Sequence, residues 1–265
     1  MIANARMYTV DAASKAAWKT LLAWVLARAG VEAAIIDHDA PAPMRDLWSR
    51  ADLGCALMCG LPYTLREPAP QLIAAPIPSP ARYGGRPIYM TDIVVRADSP
   101  ARTLADTYGG RVGYTVEDSQ SGYFALRRHL ALQRTGNERL YAGAVGELLN
   151  ARGVINALAD GRIDVGPLDS YSHDLLRHLE PAFAAKVRVV ATTAPTAIPA
   201  FVATTGLPDD VVARLGGAFV ASGAAPELAA TRATLVLAGF AIPDPDEYRP
   251  LRLHHDALTG QVEPW

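Results

Sequence analysis

No apolar run in this sequence approaches the roughly 20 residues that a membrane-spanning helix needs, so no transmembrane segment is predicted. The sequence also lacks a surplus of positive charge, because 27 acidic residues stand against 25 lysines and arginines. Nucleic acid is therefore not a predicted partner. With 265 residues, 50% of them hydrophobic, the chain is long enough for one large or two small globular domains.

Cysteine is also scarce, with Cys55 and Cys59 as the two examples in the chain. A disulfide between them would need a sharp reversal of the chain. A zinc site would need two more ligands at suitable spacing, and none are visible. We therefore predict two buried, reduced cysteines, no metal site and no cofactor.

Three catalytic or nucleotide-binding signatures are missing as well. There is no Gly-x-Ser-x-Gly elbow, no P-loop and no Gly-x-Gly-x-x-Gly turn. His173 and His178 do not share a helix face well, and we interpret the histidines as surface or structural residues. These absences favour a protein without catalytic residues.

The first residues lack the basic and then apolar regions of a signal peptide, and Asn4–Val10 instead reads as a first strand. Either an export signal was removed, or the protein is not exported. We expect a cytoplasmic location if Met1 is the native start, and a periplasmic one if a signal was removed.

Helix and strand signals alternate along the chain, which is typical of α/β proteins with mainly parallel sheets. Asp11 is predicted to cap a helix that Gly30 ends. The other expected elements include strands at Leu53–Met58, Arg111–Thr115 and Arg162–Pro167, and helices at Ala101–Tyr108, Ser121–Leu132, Val145–Asp160 and Asp169–Leu179.

The order of these elements predicts two lobes. Residues 1–91 and 197–265 form the first lobe, and residues 92–196 form a second lobe inserted into it. The last part of the chain has too few predicted strands for a domain of its own. Two chain crossings make a double hinge, and a cleft between two lobes is a common place for a small ligand.

The strongest local signal for a binding site is Glu117–Tyr123, which follows a predicted strand and opens a predicted helix. Backbone N–H groups and the helix dipole at such a junction favour an anion, and the hydroxyls of Ser119 and Ser121 can donate. An ordinary helix cap is the alternative interpretation.

A second signal is Asp169, at the turn after another predicted strand. In an open α/β sheet, ligands bind at the carboxyl ends of the strands, where this turn lies. It too could be a helix cap. Aromatic and hydroxyl side chains at other strand ends or crossings are further candidates, although an aromatic in such a position more often packs in a core. These are Tyr8, Tyr63, Tyr89, Thr91 and Tyr171.

Taken together, these segments resemble the phosphonate/sulfonate-type solute-binding family of ABC transporters. The resemblance rests on the order and spacing of Met7–Tyr8, Cys59–Tyr63, Tyr89–Arg96, Ser119–Tyr123, Ala157–Val165, Leu168–Tyr171 and Thr193–Thr196. It implies a two-lobed type II periplasmic-binding-protein fold, in which each lobe is a mixed, mainly parallel sheet flanked by helices. It also implies a small anionic organic ligand and an ABC transporter permease as partners.

The resemblance assigns the ligand's anionic group to Ser119, Ser121 and Gly122, and a further ligand contact to Asp169. Gln120, within the same turn, is a further candidate for ligand binding. Tyr63 and Tyr89 match positions in the cleft. One departure stands out, because relatives often carry Thr-Gly-x-His where this chain has Tyr141–Glu147, without histidine. A carboxylate, a sulfonate or an aromatic acid would fit a less charged cleft better than a phosphonate.

Two other functions remain open on this scaffold. One is a cytosolic enzyme like those of the menaquinone pathway, acting on a small carboxylic acid, with Ser121, Asp169 or Tyr171 as acid/base candidates. The other is a cytoplasmic sensor, although no helix-turn-helix or basic stripe supports it.

Overall fold

The computed structural model describes all residues from 1 to 265. The strands, in chain order, are β1 (Ile2–Asn4), β2 (Ala34–Ile35), β3 (Leu53–Met58), β4 (Gln71–Pro78), β5 (Ile88–Tyr89), β6 (Thr91–Arg96), β7 (Arg111–Gly113), β8 (Gly143–Val145), β9 (Gly166–Asp169), β10 (Val187–Thr192), β11 (Thr196–Ala197), β12 (Ala200–Ala203) and β13 (Leu237–Ala241).

The α-helices are α1 (Ala12–Ala29), α2 (Met44–Trp48), α3 (Gly60–Thr64), α4 (Ala125–Ala131), α5 (Ala151–Ala159), α6 (Ser170–Leu179), α7 (Pro181–Ala184), α8 (Asp209–Ser222), α9 (Ala229–Thr234) and α10 (Arg249–Leu258). A π-helical turn at Gln120–Phe124 runs directly into α4. The chain divides into two compact units, the first made of Met1–Ile88 with Ala197–Arg249 and the second of Tyr89–Thr196 with Pro250–Trp265.

The first unit contains a six-stranded sheet in the order β13-β4-β12-β3-β1-β2. Strands β1, β2 and β3 pair in parallel, whereas β12 is antiparallel to both β3 and β4, and β13 is antiparallel to β4. The expectation of a mixed sheet is confirmed, but the expectation of mainly parallel pairing is wrong. The two strands that follow the second unit in the chain enter the sheet in the opposite direction to the first four.

Helices α1 and α8 cover this sheet through an aromatic core. Trp18 of α1 meets Phe201 of β12 edge to face at 5.9 Å, and Phe201 stacks on Phe219 of α8 at 4.5 Å. Phe240 of β13 completes the cluster at 4.9 Å from Phe219. Each such pair contributes roughly 0.5–1.5 kcal/mol beyond the area it buries, so the cluster ties both helices to the sheet.

The second unit is built on strand β6, which pairs antiparallel with β10 on one side and β9 on the other. Strands β7 and β8 pair in parallel, and Val112 of β7 forms an isolated bridge to Val165, next to β9. Ile93, Leu126 and Leu130 pack within the core of this unit. Helix α4 therefore lies on the sheet through a buried apolar face.

Side-chain hydrogen bonds explain why several predicted elements are shorter than expected. Asn4 donates to the Ile36 carbonyl and accepts from the Arg6 N–H, so the first strand stops at Asn4 and a short 3-10 turn, Arg6–Tyr8, follows. The predicted helix at Ala101–Tyr108 contains one 3-10 turn, because Asp106 accepts from the N–H groups of Arg102 and Thr103. Such local bonds compete with regular helix or strand.

The predicted helix Val145–Asp160 is also wrong in its first part. Val145 ends β8, Leu149 adopts a left-handed backbone with φ 68°, and Asn150 caps α5 by accepting from the Gly153 N–H. The strand predicted at Arg162–Pro167 lies later, at Gly166–Asp169. Sequence periodicity cannot show this break, because the break depends on a positive φ at Leu149, which is uncommon for a residue other than glycine.

Residues Pro250–Trp265 belong to the second unit, whereas the sequence placed all of residues 197–265 in the first lobe. Arg127 is the reason, because its guanidinium donates to the carbonyls of Leu258 and Gln261. At the first crossing, Tyr89, Met90 and Thr91 also belong to the second unit.

Cys55 and Cys59 are buried and form no disulfide, and burial raises the pKa of the Cys55 thiol. A thiol held in its neutral form is a poor nucleophile, so Cys55 acts as a small core residue. None of the helices combines the length and the apolarity that a membrane crossing requires.

The start of α1 gives a test of the local folding signals. Asp11 accepts from the Ser14 N–H, and the Ser14 hydroxyl accepts from the Asp11 N–H. Asp11→Ala removes this capping box and should lower the free energy of unfolding by about 1 kcal/mol in urea titration. Asp11→Asn keeps an acceptor and should cost much less. Equal losses in both variants would contradict the capping role.

Candidate functional site

Three segments that lie far apart in the sequence meet in the second unit. Thr91, the first residue of β6, pairs with Asp169, the last residue of β9. The Thr91 hydroxyl donates to the Ser121 carbonyl at 3.0 Å, and the Ser121 hydroxyl donates to Asp169 Oδ2 at 3.4 Å. Hydrogen bonds thus join the first crossing, the Ser119–Gly122 turn and the Asp169 turn. We call Thr91, Ser121 and Asp169 the polar cluster.

The turn at Ser119–Gly122, which we call the anion turn, opens the helix that continues into α4. Ser119 caps it, because its hydroxyl accepts from the Gly122 N–H at 2.9 Å and its carbonyl accepts from the Phe124 N–H at 3.0 Å. The first N–H groups of a helix have no carbonyl partner within that helix. The N–H groups of Gln120 and Ser121 therefore give this end a partial positive charge.

Gly122 is required by a close approach of the backbone. A Cβ atom at this position would lie 1.9 Å from Thr115 Oγ1 and 2.8 Å from Thr115 Cβ. The Thr115 N–H also donates to the Gly122 carbonyl at 3.0 Å, which fixes the separation. Only glycine lets the turn lie this close to Thr115, the second residue after β7.

Asp169 proves to be the helix cap that the sequence left as an alternative. Its Oδ1 accepts from the N–H groups of Tyr171 and Ser172, both at 2.9 Å, at the start of α6. These two bonds fix the orientation of the carboxylate. Its other oxygen, Oδ2, is the one that Ser121 contacts, so capping and participation in the polar cluster occur together.

Ser170 and Thr193 hold the first crossing in place, and the sequence did not identify either as a site residue. The Ser170 hydroxyl accepts from the Met90 N–H, and the Met90 carbonyl accepts from the Ser170 N–H, both at 3.0 Å. Thr193 makes the equivalent pair of bonds with the Thr91 backbone. The available signal was that both residues lie in family-like segments, Leu168–Tyr171 and Thr193–Thr196.

A buried aspartate–histidine pair joins α6 to β6. The Nδ1–H of His173 donates to Asp92 Oδ2 at 2.8 Å, and the Thr192 hydroxyl donates to Asp92 Oδ1 at 3.2 Å. His173 Nε2 is buried and has no hydrogen-bond partner. A Ser–His–Asp arrangement would need a hydroxyl at that nitrogen. The pair is therefore structural, as the histidines were interpreted.

The structure places the ten candidate residues in two groups. Tyr8 and Tyr63 belong to the first unit, and the other eight, Tyr89, Thr91, Ser119, Gln120, Ser121, Gly122, Asp169 and Tyr171, belong to the second. Tyr8 does not end a strand as predicted but lies in the 3-10 turn, where its carbonyl accepts from the Trp18 indole N–H. Tyr63 packs edge to face on Tyr248 at 5.3 Å, and burial raises its pKa.

The chemistry of the second unit's group is that of a neutral donor site. Hydroxyls and backbone N–H groups supply the donors at the anion turn, and the charged member of the polar cluster is Asp169. Gln120 is 3% exposed, and its side-chain oxygen has no hydrogen-bond partner. No group of three or more histidine, cysteine, aspartate or glutamate side chains is arranged to hold a metal.

The comparisons with known proteins agree with this chemistry. The fold is that of the type II periplasmic binding proteins. The model of the family described as ABC transporter, phosphonate, periplasmic substrate-binding protein matches residues 8–248, and the chain belongs to this family. The family consists of solute-binding proteins of transporters and not of enzymes.

Solved structures show the same fold at low sequence identity. The PhnD1 protein of Prochlorococcus marinus, in complex with methylphosphonate, has a TM-score of 0.79 at 13% identity, with 97% of each chain covered. A binding protein component of an ABC phosphonate transporter from Pseudomonas aeruginosa has a TM-score of 0.77 at 17% identity, covering 96% of this chain and 85% of its own.

A Xanthomonas citri protein bound to ATP has a TM-score of 0.66 at 21% identity, with 99% of each chain covered. A search of curated protein sequences gave no significant match.

The close approach at Gly122 can be tested by adding one methyl group. Gly122→Ala forces the turn away from Thr115 and should lower the free energy of unfolding by about 1–3 kcal/mol, measured by urea titration. Gly217→Ala in α8 is a matched control, because a Cβ there meets nothing within 4 Å. The control should be neutral or stabilising. A harmless Gly122→Ala would show that the turn is not held against Thr115.

Proposed function

We propose that this protein binds a small phosphonate and presents it to the permease of an ABC transporter. The observation that carries the proposal is the polar cluster, which joins the neutral donors of the anion turn to one fixed carboxylate. Membership of the phosphonate-binding family supports it. The methylphosphonate complex of the Prochlorococcus marinus protein, which shares this fold, supports the ligand class.

The proposed contacts begin at the anion turn. The N–H groups of Gln120 and Ser121 and the Ser119 hydroxyl donate to the phosphonate oxygens. The Ser121 hydroxyl has a single proton, so on binding it leaves Asp169 Oδ2 and donates to a phosphonate oxygen, which frees that carboxylate oxygen for the ligand. These donors need no counter-charge, because oriented N–H groups at a helix start stabilise an anion by themselves. Gly122 allows the turn to pack tightly enough on Thr115 to keep the donors in place.

Asp169 gives the site a preference for an anion that still carries a proton. A phosphonate monoanion retains one P–O–H group, which can donate to Asp169 Oδ2. A sulfonate and a deprotonated carboxylate have no such proton at neutral pH, and their oxygens repel the carboxylate. Asp169 therefore favours a phosphonate over the carboxylate, sulfonate or aromatic acid that the missing histidine at Tyr141–Glu147 had suggested.

The aromatic candidates are proposed to contact the organic part of the ligand. Within the second unit these are Tyr89 and Tyr171, with Thr91 holding the anion turn. An aromatic side chain offers an apolar face and a polar tip, which suits a short carbon chain next to an oxyanion. We propose a periplasmic location, as the family description implies.

Ser121 provides the most direct test of this function. Ser121→Ala removes a hydroxyl donor to a charged ligand and should weaken methylphosphonate binding roughly 10- to 100-fold, measured by titration calorimetry. Ser99→Ala, in the same unit but outside the anion turn, should bind as the unaltered protein does. An unaltered protein that shows no binding to methylphosphonate or other small phosphonates would contradict the proposal.

The role of Asp169 predicts a characteristic pH dependence. As pH rises through the second ionisation of the phosphonate, the ligand loses the proton that it shares with Asp169, and the affinity should fall. Asp169→Asn keeps an N-cap for α6 but removes the charge, so it should weaken binding at low pH and flatten the decline. Calorimetry across this range in both proteins is the measurement. A wild-type affinity that increases with pH would contradict it.

A further inference from the structure

The chain from Leu258 to Trp265, which we call the 258–265 segment, is bound to the second unit by a series of hydrogen bonds. Arg127 of α4 is 9% exposed, and it donates to the Leu258 carbonyl at 3.0 Å and to Glu263 Oε2 at 2.6 Å. Arg134 donates to the Val262 carbonyl at 2.6 Å, and the Leu140 N–H donates to the Pro264 carbonyl at 2.7 Å. These bonds fix where the segment ends.

The segment brings Trp265 into a three-ring aromatic cluster. The Trp265 ring stacks on Tyr114, with centroids 6.3 Å apart and planes at 22°, and meets Tyr123 at 5.4 Å and 76°. Tyr114 and Tyr123 also touch each other, at 5.0 Å and 76°. Each ring therefore contacts both of the others, and the removal of Trp265 would leave one aromatic pair in place of three.

Both tyrosines bear directly on the anion turn. Tyr123 belongs to the π-helical turn Gln120–Phe124, next to Gly122. Tyr114 precedes Thr115, whose N–H donates to the Gly122 carbonyl. The cluster thus includes Tyr123, which directly follows the anion turn, and Tyr114, which directly precedes the residue that is hydrogen-bonded to that turn. Burial, with a smaller contribution from Glu263, raises the pKa of Tyr123 to about 12.

A π-helical turn needs this kind of support. Its hydrogen bonds span five residues. Such turns are rare in proteins, and those that occur frequently lie at functional sites. Donors that bind an anion must also be held within about 0.5 Å of the productive geometry by the packing of their neighbours. The anion turn contains small residues at Ser119, Ser121 and Gly122, which supply little packing of their own.

We propose that Trp265 is a positioning residue for ligand binding, which keeps the anion turn in its binding geometry through Tyr114 and Tyr123. Trp265 acts from outside the site, and no ligand contact is assigned to it. The inference rests on the proposed function, because it takes the anion turn as the place where the phosphonate oxygens are bound.

The first experiment measures the affinity for methylphosphonate by titration calorimetry, well below the melting temperature of each variant. Trp265→Ala should lower it about tenfold, which is the scale of two lost aromatic contacts. Trp265→Phe retains a ring and should bind within about twofold of the unaltered protein. Phe183→Ala, which removes a ring of α7 that lies under Arg152 and Lys186, is the control for general destabilisation and should bind normally.

The second experiment needs no ligand and follows amide hydrogen exchange by mass spectrometry. Exchange in peptides that cover residues 116–126 should be faster in Trp265→Ala than in the unaltered protein, and unchanged in Trp265→Phe. Peptides that cover β6 should not change. If methylphosphonate does not bind the unaltered protein, the proposed function fails, and this exchange result alone decides the positioning role.

Two results would overturn the inference. One is an affinity loss of equal size in Trp265→Ala and Phe183→Ala, which would mean that general stability is responsible. The other is an unchanged exchange rate at residues 116–126 in Trp265→Ala, which would show that the anion turn does not depend on the aromatic cluster.

Discussion

The candidate site depends on one short chain of hydrogen bonds, from the Thr91 hydroxyl to the Ser121 carbonyl and from the Ser121 hydroxyl to Asp169. The pairing of β6 with β9 sets Thr91 opposite Asp169, and the two carboxylate oxygens then have separate tasks, since one caps α6 and the other contacts Ser121. The register of a three-stranded sheet thus determines which polar groups meet at the anion turn. A slip of one residue would turn these side chains to the other face.

This arrangement has a consequence for the kind of anion that fits. A site with several cations would attract any anion in proportion to its charge. Neutral donors next to one fixed carboxylate instead favour an oxyanion that can return a hydrogen bond, which a phosphonate monoanion does. The absence of histidine in Tyr141–Glu147 is then compatible with the family's ligand, because the proposed preference arises from a shared proton rather than from a counter-charge.

The sequence predicted the α/β class, the family, the exact span of Leu53–Met58 and the capping of α1 by Asp11, because these depend on local patterns. It failed where side chains far apart in the chain decide the outcome. Antiparallel β12 and β13 depend on the direction of the returning chain, and the 258–265 segment joins the second unit because of Arg127. The turns predicted Ser119, Ser121 and Asp169 as candidate ligand contacts, but the contacts among these residues depend on a strand register that no local pattern shows.

The central claim is that Asp169 shares a proton with a bound phosphonate, and the phosphorus nucleus of the ligand can report this directly. The ³¹P chemical shift of methylphosphonate differs between its monoanion and its dianion. In the complex, the shift should remain that of the monoanion at pH values where the free ligand has become a dianion. A bound ligand with the shift of the dianion over that range, or one that titrates as the free ligand does, would contradict the account.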